Sequence, residues 1–80
     1  MYFVYILICS NGSFYTGSTN NVEKRFKDHL WGKGARYTKS HKPVSIIYQE
    51  KFTSKSAALK LEAEIKRMSK FQKKALVAVK

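Results

Sequence analysis

The sequence predicts a small α+β domain, in which a three-stranded antiparallel sheet is flanked by helices in the order ββαβαα. Three observations predict it: an apolar run followed by a tight turn at the start, a β-branched run near the middle, and helical periodicity in the remaining segments. The 80 residues allow one domain, 1–80. A chain of this length buries only about 60% of its unfolded surface, so there is no room for a second core.

Three segments have the composition of β-strands. Residues 2–9 are apolar almost without interruption, which predicts a central strand covered on both faces. Turn residues follow, and the aromatic run at 14–18 predicts a second strand that forms a hairpin with the first. Residues 44–52, rich in valine, isoleucine and tyrosine, predict the third strand.

The length of the hairpin loop decides whether Tyr5 and Tyr15 share a face of the sheet. A two-residue loop would place the phenols on opposite faces, because side chains alternate along a strand. We expect a three-residue loop, 10–12, that ends with Gly12 in the left-handed region and pairs Tyr5 with Gly17. Both phenols then share one face, and the missing side chain of Gly17 leaves space above Tyr5 for a ligand.

The first helix is predicted to begin at a capping box formed by Asn20 and Glu23 and to end near residue 32. Its apolar stripe consists of residues four apart, Val22, Phe26 and Leu30.

Two residues of this helix could bind one anion. Arg25 and His29 lie one turn apart on one edge of the apolar stripe, whereas Lys24, Lys27 and Asp28 point away from it. An arginine binds an anion through two parallel charge-assisted hydrogen bonds, and a histidine binds one through a single hydrogen bond or by proton transfer.

Two more helices are predicted after the third strand. The first covers 54–68, and its apolar face consists of Ala58, Leu61, Ile65 and Met68. The second runs to residue 79 after a capping box formed by Ser69 and Gln72. The preceding segment, 32–43, is predicted to be a basic loop with room for a short helical turn and an exposed ring, Tyr37.

Glu62 is the residue of the 54–68 helix least easily explained as a surface charge. Its neighbours in helical projection, Ala58 and Leu59, are apolar, and a buried carboxylate is costly unless it meets a cation, a metal or hydrogen bonds. The plainer interpretation places Glu62 in water at the helix edge, as we expect for Glu64.

The other candidate residues could also have purely structural roles. The tyrosines could be ordinary packed strand aromatics, Arg25 a solvated side chain, and His29 a surface or core-rim residue.

The charge of the chain favours a polyanionic partner. Sixteen lysines and arginines against five acidic residues give a formal charge of +11, which favours nucleic acid but would also suit an anionic membrane surface. The lone Cys9 has no partner for a disulfide, and the first apolar run is too short to cross a bilayer. We therefore expect a cytoplasmic protein without a membrane segment, whose oligomeric state the sequence does not indicate.

The spacing of the candidate residues resembles that of the GIY-YIG nuclease family. The matching positions are Phe3-Val4-Tyr5, then Tyr15-Thr16-Gly17, then Arg25 and His29 on one helix and Glu62 on a later one. The run Gly-Lys-Gly-Ala-Arg-Tyr-Thr at 32–38 is similar to that of small stand-alone bacterial members. The resemblance covers nearly the whole chain and implies a three-stranded antiparallel sheet flanked by helices that cuts phosphodiester bonds with one divalent metal ion.

The resemblance also implies a role for each residue. By the resemblance, Glu62 is the metal ligand, Arg25 contacts the phosphate, and His29 is a proton acceptor or positioner. For the mechanism we expect Glu62 to hold Mg²⁺ or Mn²⁺ and Tyr5 to take the proton from water. His29 would lower the pKa of that phenol or act as the base itself, and the sequence leaves both open. Tyr15 would orient the water or contact the phosphate.

The sequence departs from the family pattern at three places. Phe3 replaces the first motif glycine, and Thr16 replaces the isoleucine of the second triplet. The final helices also contain no asparagine of the kind that often follows the metal-binding glutamate; Gln72 and Lys74 are the nearest polar residues.

We expect the partner to be nucleic acid, DNA more than RNA. Basic residues of the first helix and the following loop would form a groove for the phosphate backbone, with Tyr37 as a stacking platform. These residues are Lys24, Lys27, Lys33, Arg36, Lys39 and Lys42. Two rivals remain open: a nucleic-acid-binding module without cleavage, and an adaptor that docks a protein through the last helix, at Leu76, Val77 and Val79.

Overall fold

The computed structural model describes residues 1–34 and 36–79, the last of these by its backbone alone. Its elements are β1 Tyr2–Cys9, β2 Phe14–Thr19, α1 Val22–Leu30, α2 Arg36–Ser40, β3 Pro43–Phe52, α3 Lys55–Lys66 and α4 Lys70–Val79. The strands form one antiparallel sheet in the order β2-β1-β3. The predicted α+β architecture is confirmed, and the helical turn anticipated in the basic loop is the short helix α2.

The β1–β2 hairpin has the register that the sequence predicts. Tyr5 lies opposite Gly17, and Leu7 lies opposite Tyr15. Gly12 has a φ of 83°, a conformation that glycine adopts without strain, and it closes the three-residue loop. Tyr5 and Tyr15 therefore project from the same face of the sheet.

The two faces of the sheet carry different helices. On one face, the buried side chains of Val4 and Ile6 pack against α3 and α4. On the other face, the buried side chains of Tyr5 and Leu7 pack against α1. Because β2 is an edge strand, groups from both helical layers can reach its outer edge.

Helix α1 begins one residue later than predicted. Its N-cap is Asn21, whose side chain accepts a hydrogen bond from the backbone N–H of Lys24 at 3.1 Å. Because β2 continues to Thr19, Asn20 lies before the cap, and the predicted capping box of Asn20 with Glu23 is wrong. Glu23 still places a negative charge in the first turn, where the helix dipole favours it.

The buried stripe of α1 also differs from the prediction. Leu30 is 36% exposed, whereas His29 is 1% exposed. The stripe that faces the sheet therefore consists of Val22, Phe26 and His29, and His29 lies in the core rather than at the rim.

Helix α3 has the apolar face that its periodicity predicts. Ala58 and Ile65 are buried, and Leu61 and Met68 pack against them. The hydroxyl of Ser54 caps the helix by accepting a hydrogen bond from the backbone of residue 57.

Helix α4 begins at the predicted capping box of Ser69 and Gln72. Its apolar residues Leu76 and Val77 are partly buried and pack against the core cluster that contains Ala58 and Ile65. The side chain of Val79 lies outside the described residues. Within 1–34 and 36–79, no helix has the length and apolar character needed to cross a membrane.

Candidate active site

Aromatic rings from β1, β2 and α1 meet on the sheet face beneath α1. The ring centroids of Tyr5 and Tyr15 are 6.5 Å apart, and the His29 ring lies 6.0 Å from Tyr5 and 5.1 Å from Tyr15. Oη of Tyr5 is 2.9 Å from Nε2 of His29. Three of the five predicted catalytic side chains are thus in one cluster.

The Tyr5 ring lies directly over Gly17. A Cβ at position 17 would stand 2.5 Å from Oη of Tyr5, so the phenol fits only against a glycine. Tyr5 is 2% exposed. The expected ligand space above Tyr5 is therefore wrong: the pairing with Gly17 is correct, but the phenol itself fills the gap.

Both ring nitrogens of His29 have partners, which explains why the ring can be buried. Nε2 meets Tyr5, and Nδ1 lies 2.7 Å from Oγ1 of Thr38 in α2. A Cβ at Gly34 would overlap the imidazole, so a glycine is needed for this segment to approach α1. Thr38 was not predicted as a partner, although Gly34, four residues before it, was a signal that this segment comes close to another element.

Burial favours the neutral form of both groups in the Tyr5–His29 pair. It raises the pKa of Tyr5 to about 12, with a contribution from Tyr15 and opposed by the guanidinium of Arg25. Burial also lowers the pKa of His29, as does the charge of Arg25, against the opposing charge of Asp28. At neutral pH the cluster therefore pairs a phenol with an uncharged imidazole.

Arg25 lies between this cluster and an open hollow. Its guanidinium is 3.9 Å from the carboxylate of Asp28, and Nζ of Lys24 is 3.6 Å from the same oxygen. Lys24 and Asp28 were predicted to point away from the edge of the stripe that carries Arg25, but both line the same hollow as Arg25. The hollow has a volume of about 320 Å³ and is lined by Tyr2, Ser18, Thr19, Asn20, Asn21, Lys24, Arg25 and Asp28.

Glu62 approaches the edge strand β2 from the opposite helical layer. Oε1 of Glu62 accepts a hydrogen bond from the hydroxyl of Ser18 at 2.6 Å, and Oε2 lies 2.8 Å from Nζ of Lys66. Ser18 also lines the hollow beside Arg25. The charge of Glu62 contributes to the raised pKa of Tyr5. The predicted site residues thus form two groups on either side of β2, an aromatic group with Arg25 and a carboxylate group.

Sequence reasoning missed two partners of Glu62. Lys66 follows Glu62 by four residues, a helical spacing typical of ion pairs, so the sequence carried a signal for it. Hydrogen bonding to Glu62 raises the pKa of Lys66, and the nearby Tyr15 contributes to the increase. Ser18 is 44 positions from Glu62 in the chain, and no local pattern points to it.

The residues around Glu62 fit a magnesium-type ion that keeps most of its water. Such an ion needs only one or two protein carboxylates, and Glu62 offers a hard oxygen ligand whose orientation Ser18 fixes. No group of three or more His, Cys, Asp or Glu side chains that could hold a metal occurs in residues 1–34 and 36–79. The described side chains around Glu62 therefore do not form a metal site made of protein ligands alone.

The predicted nucleic-acid-binding residues are all exposed along α1, α2 and the adjoining turns, namely Lys24, Lys27, Lys33, Arg36, Tyr37, Lys39 and Lys42. The ring of Tyr37 is held in place, because it stacks on Tyr15 at 6.2 Å and on His41 at 4.3 Å. Its hydroxyl donates a hydrogen bond to Ser13. Tyr37 is thus anchored to the aromatic cluster, and His41, which the sequence analysis did not single out, adds a further ring to the stack.

Comparison with known proteins decides the family. Residues 1–75 match the family described as the GIY-YIG catalytic domain. The chain belongs to the GIY-YIG family. Membership implies an interaction with nucleic acid in general, in agreement with the charge of the chain.

This GIY-YIG domain has relatives of similar size. A UPF0213 protein of Cupriavidus necator is 51% identical over 77 residues, which cover 96% of this chain and 84% of the relative. A UPF0213 protein of Natronomonas pharaonis is 47% identical, covering 96% of this chain and 91% of the relative. The solution NMR structure of a UPF0213 protein of Bacillus halodurans is 43% identical, with a TM-score of 0.66 over 100% of this chain and 86% of that one. The predicted likeness to small GIY-YIG proteins is confirmed.

Proposed function

We propose that the protein is a metal-dependent endonuclease that hydrolyses phosphodiester bonds in nucleic acid, and DNA more readily than RNA. The observation that carries the proposal is the buried contact between Tyr5 and His29 with Arg25 beside it, next to a hollow lined by cationic side chains. A phenol, an imidazole and a guanidinium at one place can move a proton and bind a phosphate.

Tyr5 is the group that accepts the proton of the attacking water, and His29 receives the proton that the phenol gives up. Both ring nitrogens of His29 are already paired, Nε2 with Tyr5 and Nδ1 with Thr38, so His29 acts through the phenol rather than on water directly. With both groups neutral, the phenol donates to Nε2, and the Nδ1 proton is directed to Thr38. Proton transfer to Nε2 would leave a phenolate that the charge of Arg25 stabilises.

Arg25 binds the phosphate by exchanging one anion for another. Its present partner is the carboxylate of Asp28 at 3.9 Å, in a partly exposed ion pair. Pairs of this kind contribute about 0–1 kcal/mol, so a phosphate can replace Asp28 at little cost. Lys24, which lines the same hollow, supplies a second cation.

Glu62 would hold the divalent cation, Mg²⁺ or Mn²⁺, with its carboxylate oriented by Ser18. When bound, the cation neutralises charge on the phosphoryl oxygens and the leaving oxygen. Tyr15, in contact with both Tyr5 and His29, positions the water or the phosphate.

Strand-nicking assays test this proposal on single-stranded, duplex and branched DNA and on RNA, with Mg²⁺, Mn²⁺ or EDTA. Arg25→Ala and Glu62→Gln are expected to lower cleavage by about 100-fold or more, with an unchanged circular dichroism spectrum. Glu64→Gln and Arg67→Ala are the controls of the same chemistry, because both side chains are exposed, Glu64 in the last turn of α3 and Arg67 at its C-cap. Cleavage that persists in EDTA, or wild-type cleavage by either site variant, would refute the assignment.

A second candidate is a nucleic-acid-binding module that does not cleave. The observation that favours it is the ion pair between Glu62 and Lys66, which occupies the carboxylate oxygen that a metal would use. For such a module, nicking would be absent with every metal, while oligonucleotide binding would persist and be unchanged in Glu62→Gln.

A further inference from the structure

The carboxylate of Glu62 has one fixed partner and one exchangeable partner. The Glu62 side chain is 15% exposed, and its Oε1 is held by the neutral hydroxyl of Ser18 on the sheet. Its Oε2 contacts Nζ of Lys66, whose side chain is 53% exposed on the last turn of α3. The two oxygens therefore differ: one is anchored to the sheet, and the other meets a cation that is exposed at the surface.

A divalent cation and the Lys66 ammonium would compete for the same oxygen. Two cations on one carboxylate oxygen repel each other, whereas the hydroxyl of Ser18 can stay on the other oxygen in either case. A helical ion pair with this spacing is weak when one partner is exposed to solvent, and lysine has a long flexible stem. Exchange therefore requires no change in the backbone.

The position of Lys66 indicates where the released ammonium would go. Ser18, which shares Glu62 with Lys66, also lines the hollow that contains Arg25. Lys66 would thus lie across β2 from a phosphate that Arg25 binds in this hollow.

We propose that Lys66 competes with the divalent cation for Glu62 and, once displaced, binds a phosphate of the substrate. This role rests on the proposed nuclease function. It adds a phosphate-binding residue that the catalytic cluster alone does not contain, and it links metal binding to nucleic-acid binding.

Metal affinity tests the first step. Mn²⁺ is titrated into the full chain, and free Mn²⁺ is followed by electron paramagnetic resonance. Lys66→Met is expected to bind Mn²⁺ about two- to five-fold more tightly than the wild type, the range for an exposed ion pair. Lys60→Met, which removes an exposed charge from the same helix, corrects for the general effect of lowering the net charge. Glu62→Gln identifies the site.

Nucleic-acid affinity tests the second step. The probe is a short phosphorothioate oligonucleotide, measured by fluorescence anisotropy in Mn²⁺ and in EDTA. In Mn²⁺, Lys66→Met is expected to weaken binding about two- to five-fold relative to Lys60→Met, because a phosphate contact is lost. In EDTA the two variants are expected to bind alike, because Lys66 then remains with Glu62.

The two proposals fail in different ways. If Glu62→Gln loses Mn²⁺ binding but Lys66→Met binds Mn²⁺ no more tightly than Lys60→Met, the role of Lys66 is overturned and the nuclease proposal stands. A defect of Lys66→Met in EDTA equal to that in Mn²⁺ would overturn the displacement step. If Glu62→Gln binds Mn²⁺ like the wild type, both proposals are overturned.

Discussion

Oη of Tyr5 lies 2.9 Å from Nε2 of His29, and both side chains are almost completely shielded from solvent. Through Nδ1 of the same ring, the contact extends to Thr38. One imidazole therefore connects β1, α1 and α2. Because the phenol is also the proposed proton acceptor, the residues that stabilise this part of the fold are the residues assigned to catalysis.

Tyr5→Phe is expected to lower the free energy of unfolding by about 1–2 kcal/mol, because Nε2 of His29 loses its buried partner. Cleavage should fall by about 100-fold or more, since the phenol oxygen is gone. Urea denaturation and nicking assays measure the two effects. Tyr48→Phe is the matched control, because Tyr48 is buried on the opposite face and its hydroxyl bonds Glu50. Equal losses of cleavage in both variants would mean that stability, not chemistry, limits activity.

Gly17→Ala is expected to displace the Tyr5 ring, because the new Cβ would stand 2.5 Å from Oη and 2.7 Å from Cζ. Overpacking of this kind costs about 1–3 kcal/mol of stability, and cleavage should fall with it. Gly12→Ala provides the comparison: nothing lies within 4 Å, but φ is 83°, so it loses about 1–2 kcal/mol through backbone strain alone. Gly12→Ala should keep its activity, and an inactive Gly12→Ala would contradict this assignment.

The stability of the protein should decrease in acid because of His29. Burial lowers the pKa of His29 in the folded chain below its ordinary value of 6.5. Between the two values the unfolded chain binds more protons, so the contribution is complete above pH 6.5 and is lost as the pH falls through the folded pKa. Urea denaturation from about pH 8 to about pH 5 measures the slope. The slope of unfolding free energy against pH should be smaller in His29→Gln and unchanged in His41→Gln. The reverse pattern would show that His29 is not the source of the slope.

Ser18→Ala is expected to release the Glu62 carboxylate from the sheet. The charge-assisted hydrogen bond of 2.6 Å is only partly buried, so its loss should cost about 1 kcal/mol, below the range of about 1.5–3 for bonds to charged groups. Mn²⁺ affinity should fall, because a mobile carboxylate must be ordered before it can bind. Ser45→Ala, exposed on β3, should change neither quantity. Undiminished Mn²⁺ affinity in Ser18→Ala would remove Ser18 from the metal-binding unit.

Binding of an oligonucleotide should weaken steeply with salt, because each phosphate contact releases a counterion. Replacing both Lys33 and Lys39 with alanine is expected to lower the slope of log affinity against log salt by about 1–2. The same change at Lys60 and Lys74, which are exposed on α3 and α4 at the opposite face of the sheet, should leave the slope nearly unchanged. Equal slopes in the two double variants would place the nucleic acid on a different surface.

The sequence was sufficient for features that follow from local periodicity. The strand alternation and the turn at Gly12 fixed the register that pairs Tyr5 with Gly17, because a slip of one residue would turn the apolar side chains outward. The start of α1 was predicted one residue too early, at Asn20, because local periodicity does not show that β2 continues to Thr19; Asn21 is the N-cap.

The tertiary structure decided the partners of the reactive side chains. His29 became a core residue because Tyr5 and Thr38, from two other elements, satisfy its nitrogens, and Glu62 was divided between Ser18 and Lys66. A single sequence specifies spacing within an element, since backbone geometry repeats every few residues. It does not specify which polar groups meet when two elements pack. Those contacts join residues tens of positions apart, and they depend on how the helices pack on the sheet.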